Sequence, residues 1–423
     1  MAEGTPRGRV VRPGARWFSR GALGICVATF FSDVGHELAT AVLPLYIGAL
    51  GLGPAALGAI EGLADLVSAL AKLGGGFAGQ RLERKVRWTA AGYALTAVGT
   101  AALSLVRAPA ALAALRALAW AGRGFRSPLR DHLLADEVEP SHYGRIFGLE
   151  RAADMLGAVV GPLLAVVLVA WGLSAGEIIA WTILPASIPV LAIVLLVRDR
   201  PHAPAERAAP RPVEEREGPA ALPADYWRLI RAVSVFGASD FSRTFLILLA
   251  ARALASTPQT AAGFDAAFAT GTLTAAVGLY AGHNAVSAVA AALIGRVADR
   301  LSKPKLLAAG YALAAVAHAV LILGSHSVPW LVVAIVLSGV YVAAEETLEK
   351  ATCAVLVPRA ARSKAFGILA TANSFGDLVS SVGLGLLLAA GLDALAFGLC
   401  AVLAACGAIL AARVRVPEST RSR

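Results

Sequence analysis

Apolar stretches long enough to cross a bilayer recur along this chain, and the gaps between them alternate between rich in Arg and Lys and nearly free of them. About 20 apolar residues cross the hydrocarbon core. The stretches read as twelve spans, at 21–50, 55–78, 88–107, 109–136, 145–172, 176–197, 227–254, 271–295, 304–325, 328–357, 363–390 and 392–413. One set of gaps holds Arg81, Arg84, Lys85 and Arg87, then Arg198 and Arg200, Arg296, Arg300, Lys303 and Lys305, Arg359, Arg362 and Lys364, and Arg413 and Arg415. The N-terminal arginines Arg7, Arg9, Arg12, Arg16 and Arg20 belong to the same set, whereas the other gaps offer little beyond Arg107 and Arg252. The positive-inside rule places the rich set in the cytoplasm. The expectation is a multi-pass protein of the cell (inner) membrane with both termini cytoplasmic, a basic N-terminus at 1–20 and a tail at 414–423. The first apolar stretch contains Asp33, His36 and Glu37, so it reads as a retained span and not a cleaved signal.

Composition narrows the alternatives. Hydrophobic residues make up 57% of the 423 and charged residues 16%, which excludes disorder as the main state. The four cysteines lie in apolar runs and form no CxxC pair, so neither a disulfide scaffold nor a thiolate metal site is expected. The net charge of +10 resides in the gaps and not on an aromatic-studded polar face, so no nucleic-acid partner is expected. Residues 198–226 are Pro-rich with mixed charge and read as a cytoplasmic linker. It separates a bundle at 21–197 from a bundle at 227–413. The halves read as repeats. GGFAGQRLERK (75–85) corresponds to GRVADRLSKPK (295–305), FFSD (30–33) to GASD (237–240), and GRIFG (144–148) to SKAFG (363–367). The fold class expected is an all-α polytopic membrane protein of two six-helix pseudo-symmetric bundles.

These residues resemble the major facilitator superfamily (MFS) over essentially the whole length. Its signature loop after the second helix, GxLADRxGRK, is matched by Gly295, Asp299 and Arg300; in the first half Gly76, Arg81 and Arg84 fit, while Gln80 stands where the family has Asp. The run 122–136, GRGFRSPLRDHLLAD, with FFSD and IEGLAD (60–65), resembles a poorly characterised bacterial and archaeal subgroup with a GKGxRxxPRDxLxAD-type fourth-helix motif. Gly148, Gly157, Gly161 and Pro162 follow the spacing of the fifth-helix motif of drug/H⁺ antiporters, though Ala165 replaces its last glycine. Small residues at that spacing also simply let helices pack. Arg116 sits where many members carry an arginine, within surroundings (ALAW) that depart from the family motif. The resemblance implies secondary active transport and a central cavity lined by the first and fourth helices of each half.

Charges within the spans are the remaining signal. A charge at the bilayer centre costs at least ~2.5–3.5 kcal/mol, so it is paired or wet. Asp33 lies roughly 18 Å along the first span at 1.5 Å per residue, with Glu37 one turn on. Glu61, Asp65, Ser68 and Lys72 form a stripe on the second span, and Arg123, Arg126 and Arg130 one on the fourth. The acidic stripes are expected to face the arginines. The second half carries Asp240 and Arg243 on its seventh span and Glu345, Glu346 and Glu349 on its tenth; repeat alignment sets Glu345 opposite Arg126, a candidate gate pair. Asp33, Glu37 and Asp65, with His36 as helper, are the proton-coupling candidates. Asp154 and Asp377 are further acids expected to be buried.

There is no GxxxxGK[ST] loop, HExxH or GxSxG, so no cofactor, metal or catalytic role is expected. The reading is a monomeric secondary transporter handling a small-molecule substrate and protons within the lipid bilayer by alternating access, as an efflux antiporter. A proton symporter importing an organic solute is the alternative in the same class. A polytopic sensor or membrane enzyme is the remoter one.

Overall fold

The structure, a computed structural model, describes residues 18–52, 54–200, 222–241, 245, 249, 272–324 and 327–416. Arg243, much of the seventh span after residue 241 and most of the 198–226 linker lie outside the described residues. Within them stand thirteen α-helices: α1 (Arg20–Ala49), α2 (Pro54–Arg81), α3 (Lys85–Ala102), α4 (Pro109–Asp136), α5 (Tyr143–Ala170), α6 (Ala175–Trp181), α7 (Ile183–Leu196), α8 (Ala224–Gly237), α9 (Thr272–Ala298), α10 (Lys303–Gly324), α11 (Val328–Leu356), α12 (Arg362–Ala389) and α13 (Asp393–Ala412). No strand occurs among the described residues. The longest helices, of 28–30 residues, rise about 42–45 Å, more than the ~30 Å hydrocarbon core requires, which suits tilted crossing.

Among the described residues, seven spans qualify as membrane-crossing on length and apolarity alone. α4 is not among them because its arginines interrupt every long apolar window. The sixth span is read from sequence as one helix and is interrupted at Thr182, between α6 and α7. Pro185 has no N–H to donate, and the Thr182 hydroxyl donates to the Ile179 carbonyl at 2.6 Å, so the ladder is broken on both counts.

The packing repeats between halves. In the first, α1 lies on α5 and α7, α2 on α4, and α3 on α4 and α7. In the second, α8 lies on α12 and α13, α9 on α11, and α10 on α11 and α13. The same contacts recur six spans later, with α1–α5 matched by α8–α12 and the split span α6–α7 by α13, which is the duplication visible in the sequence. The halves meet along two seams, α2 against α12 and α5 against α9. Both are made at glycines. A Cβ on Gly148 would stand 2.4 Å from the Ala291 carbonyl oxygen and 2.9 Å from Gly295 Cα, and one on Gly76 would stand 2.7 Å from Gly367 Cα. Backbone therefore lies on backbone.

The outer surface suits lipid. Leu70, Val98, Val166, Leu195, Leu386 and Val402 all point outward. Trp88 and Trp227 are half-exposed near the Arg-rich face, and Trp171 and Trp330 near the opposite one, as interfacial belts require.

Candidate functional site

Four helices of the first half converge on its polar interior. Asp33, on α1 and 5% exposed, receives Arg123 of α4 at 2.8 Å. Two turns towards the Arg-poor face, Arg116 of α4 holds Glu61 of α2 through two hydrogen bonds, at 2.9 and 3.1 Å, and Thr40 of α1 at 3.3 Å. Arg126 donates to Ser32 at 2.8 Å, and its guanidinium lies 3.7 Å from the Tyr93 ring centroid, a cation–π contact. The expected meeting of acids on α1 and α2 with arginines on α4 therefore occurs, with Arg116 in a place that the stripe argument gave to its neighbours.

The pairing expected between Arg126 and Glu345 is not formed. Arg126 is spent on Ser32 and Tyr93, and one Glu345 carboxylate oxygen, Oε2, is buried without a hydrogen-bond partner. Repeat alignment equates positions along two helices, but does not say which way long side chains reach. Glu349 is 1% exposed; it accepts a short hydrogen bond from Tyr311 and one from Asn373 at 2.7 Å. Asp240 accepts from Tyr341 at 3.1 Å. His36 packs edge-on against Trp120, with ring centroids 4.9 Å apart, and Glu37 lies against Gly161. Asp65 and Asp377, expected inside, are exposed. Lys72, the basic neighbour of both, donates across the α2–α12 seam to Ser374 at 2.6 Å.

The charges that do cross between halves all lie on the Arg-rich side of Asp33 among the described residues. Arg151 of α5 reaches Glu346 of α11 at 2.6 Å. Lys350 of α11 approaches Glu150 at 3.5 Å and Asp131 at 3.7 Å, both also held by Arg130 at 3.0 and 2.8 Å. Asp136, at the end of α4, receives Arg359 at 2.8 Å, Arg362 at 3.2 Å and His132 at 3.4 Å. Arg145 at the start of α5 pairs with Asp299 at 3.1 Å and also donates its backbone N–H to it at 3.3 Å. These contacts seal the Arg-rich face. Glu150 and Arg151 belong to none of the motifs; their signal is an adjacent acid and base two turns inside a mostly apolar helix.

The sequence pattern of the Major Facilitator Superfamily matches residues 25–283 and 256–423. The chain belongs to the major facilitator superfamily. Its fold of two six-helix bundles and its membership make it a membrane transporter. Among relatives, an uncharacterised MFS-type transporter of Methanocaldococcus jannaschii is 23% identical over 286 residues, 67% of each chain. An uncharacterised Mycobacterium tuberculosis protein is 27% identical over 220 residues, 51% of this chain and about half (54%) of that protein's length. Among solved structures, a bacterial homologue of the iron transporter ferroportin in its outward-facing state superposes with a TM-score of 0.68 at 14% identity, covering 92% of this chain and 98% of that one. The Escherichia coli fucose:proton symporter gives 0.64 at 15% identity, covering 96% and 100%. At these identities the likeness is one of fold.

Within this MFS fold the two signature loops are unequal. Gly295 lies in the α5–α9 seam against Gly144 and Gly148, and Asp299 anchors α5, while Arg300 is exposed. In the first half Gly76 lies in the α2–α12 seam, and Arg81 and Arg84 are exposed. Gln80 supplies no carboxylate there. Asp136, from the next helix pair, holds Arg359 and Arg362 beside that seam instead. Gly157, Gly161 and Pro162 belong to the crossing of α5 over α1, where a Cβ on Gly157 would stand 2.5 Å from the Phe30 carbonyl oxygen.

Removing the Asp136 charge leaves the two guanidiniums of the second half, Arg359 and Arg362, without their carboxylate across the seal. Asp136→Asn should raise maleimide labelling of a cysteine placed at Ser363, which is fully buried beneath the seal, by about tenfold or more, the factor equivalent to ~1.4 kcal/mol. Unchanged labelling would mean that the seal does not depend on these pairs.

Proposed function

We propose that this chain is a proton-coupled secondary transporter that exports a small solute by alternating access. It works as a monomer in the cell inner membrane, its Arg-rich face and both termini cytoplasmic. The observation that carries the reading is the contrast between a cytoplasmic seal of inter-half ion pairs and Asp33, buried beyond that seal and bound to Arg123. Rocking the halves about the glycine seams would break the seal and expose the interior to the other side. A buried carboxyl held by a single guanidinium can exchange that partner for a proton, which gives the cycle its coupling. Export is favoured by the resemblance of Gly148, Gly157, Gly161 and Pro162 to the antiporter motif, with these glycines at helix crossings that motion must pass through.

The test begins with a thermal-shift screen of purified protein against metabolites and drugs. A radiolabelled hit should accumulate in inside-out vesicles whose interior is acidified. Accumulation confined to right-side-out vesicles would overturn export in favour of symport, and gradient-independent exchange in both would overturn coupling.

A further inference from the structure

Proton coupling through Asp33 leaves open how a proton in one half is felt at the seal between halves. Gly157 answers the first part of that. Because nothing projects from it, α5 lies close on α1, and a Cβ there would stand 2.9 Å from Asp33 Cβ. The crossing brings Asp154, one turn before Gly157, up to Asp33, so that the two carboxyls are close neighbours. Carboxylates are acceptors only, so two carboxyls this close can bond to each other only when one of them carries a proton. Arg123 holds Asp33 from one side at 2.8 Å, and Arg151 holds Asp154 from the other at 2.5 Å. Arg151 also holds Glu346 of the second half at 2.6 Å.

The groups therefore form one chain: Arg123, Asp33, Asp154, Arg151, Glu346. Its count is three carboxyls, two guanidiniums and one shared proton, which is neutral. Without the proton the chain carries one uncompensated negative charge in a low-dielectric interior. Other charged or titratable groups around it are Glu37 and His36 on α1, Lys72 on α2, Arg126 and Arg130 on α4, and Glu345, Glu349 and Lys350 on α11. Arg126 and Arg130 have partners of their own in Ser32 and the Asp131–Glu150 pair.

Resting on the proton-coupling reading above, we propose that the coupling proton is shared between Asp33 and Asp154, and that Arg151 transmits its loss to the inter-half lock at Glu346. The proton leaves the carboxyl–carboxyl bond for water. Two adjacent carboxylates then draw both guanidiniums towards themselves. Arg151 can follow only by loosening its hold on Glu346, and the Arg-rich face is freed to open. Asp154 carries the proton together with Asp33, Arg151 is a positioning residue in this scheme, and neither need touch solute.

The experiment is a pH titration of purified protein with spin labels at Arg87→Cys and Lys305→Cys, exposed positions on opposite halves of the Arg-rich face, read as inter-label distance by pulsed electron resonance. Infrared difference spectra of the same samples report the protonated carboxyl. In the otherwise wild-type protein, raising the pH should shift the population to the longer distance as the carboxylic C=O band disappears. Asp154→Asn should abolish both responses and leave the short distance at every pH. Glu346→Gln should give the long distance at every pH while keeping the infrared band. Should Asp154→Asn fail to fold, Asp154→Glu keeps the carboxyl, and its displaced geometry should move the midpoint by about one pH unit, an amount of ~1.4 kcal/mol. A wild-type pH response retained unaltered in Asp154→Asn or Asp154→Glu would overturn the shared site while leaving Asp33 as sole carrier. No pH response in the wild type would overturn proton coupling itself.

Discussion

Asp33→Asn should leave the transporter folded and monodisperse and sharply reduce its proton-driven flux. Asparagine keeps the size of the side chain and can still accept from Arg123, so the α1–α4 contact at 2.8 Å has a near-isosteric replacement. What it cannot do is take up and release a proton. Exchange of labelled solute for unlabelled solute across proteoliposomes, which needs no gradient, should survive. Flux driven by an imposed pH gradient should fall by a factor within the ~5–150-fold range that coupling energies of about 1–3 kcal/mol produce. Full gradient-driven flux in the variant would remove Asp33 from the coupling step. Loss of exchange as well would show that Asp33 serves solute binding or folding, and the two are separated by a thermal melt.

Arg116→Met should have the largest effect on stability. Arg116 is 1% exposed and ties three helices together, with α2 through Glu61 and α1 through Thr40. Breaking a buried pair by removing one partner costs ~3–5 kcal/mol because the other charge is left behind, and the low end applies because Glu61 keeps about a third of its surface in contact with solvent. Arg116→Met paired with Glu61→Leu should recover most of the loss, since both charges are gone and the volume is kept. Urea or thermal unfolding in detergent is the measurement. A loss below about 1 kcal/mol in the single variant would place the pair with the exposed ion pairs that contribute little.

Much of this architecture could be read from residue order because the bilayer imposes lengths. The spans, the duplication and the alternating basic gaps follow from hydropathy and charge alone. The same is true of the opposition between Asp33 and the α4 arginines, since helical spacing fixes which residues share a face. Partner choice is another matter. Arg126 reaches Ser32 and Tyr93, and Arg151 reaches Glu346, because the crossing points of α4 over α1 and of α5 over α1 and α11 decide what lies within an arginine's length. Those crossings are set by glycines such as Gly157, whose partners in space lie far away in sequence. The break at Thr182 is local and could have been anticipated from Pro185. Asp65 and Asp377 look buried in a hydropathy reading because an exposed helix face and one turned to a salt bridge can have the same polar residue density.

At Gly148 and Gly295, and again at Gly76 and Gly367, the two halves touch with no side chains intermeshed. Such a joint has nothing to unthread when it turns. It acts as a plain bearing, with little friction and no preference for either end of its travel. The preference is supplied elsewhere, by the charged latch of Arg151, Lys350, Arg359 and Arg362. How fast the machine rocks and which way it rests are thereby assigned to different residues, so substitutions should be able to alter the resting state of this transporter without slowing it, or slow it without altering its resting state.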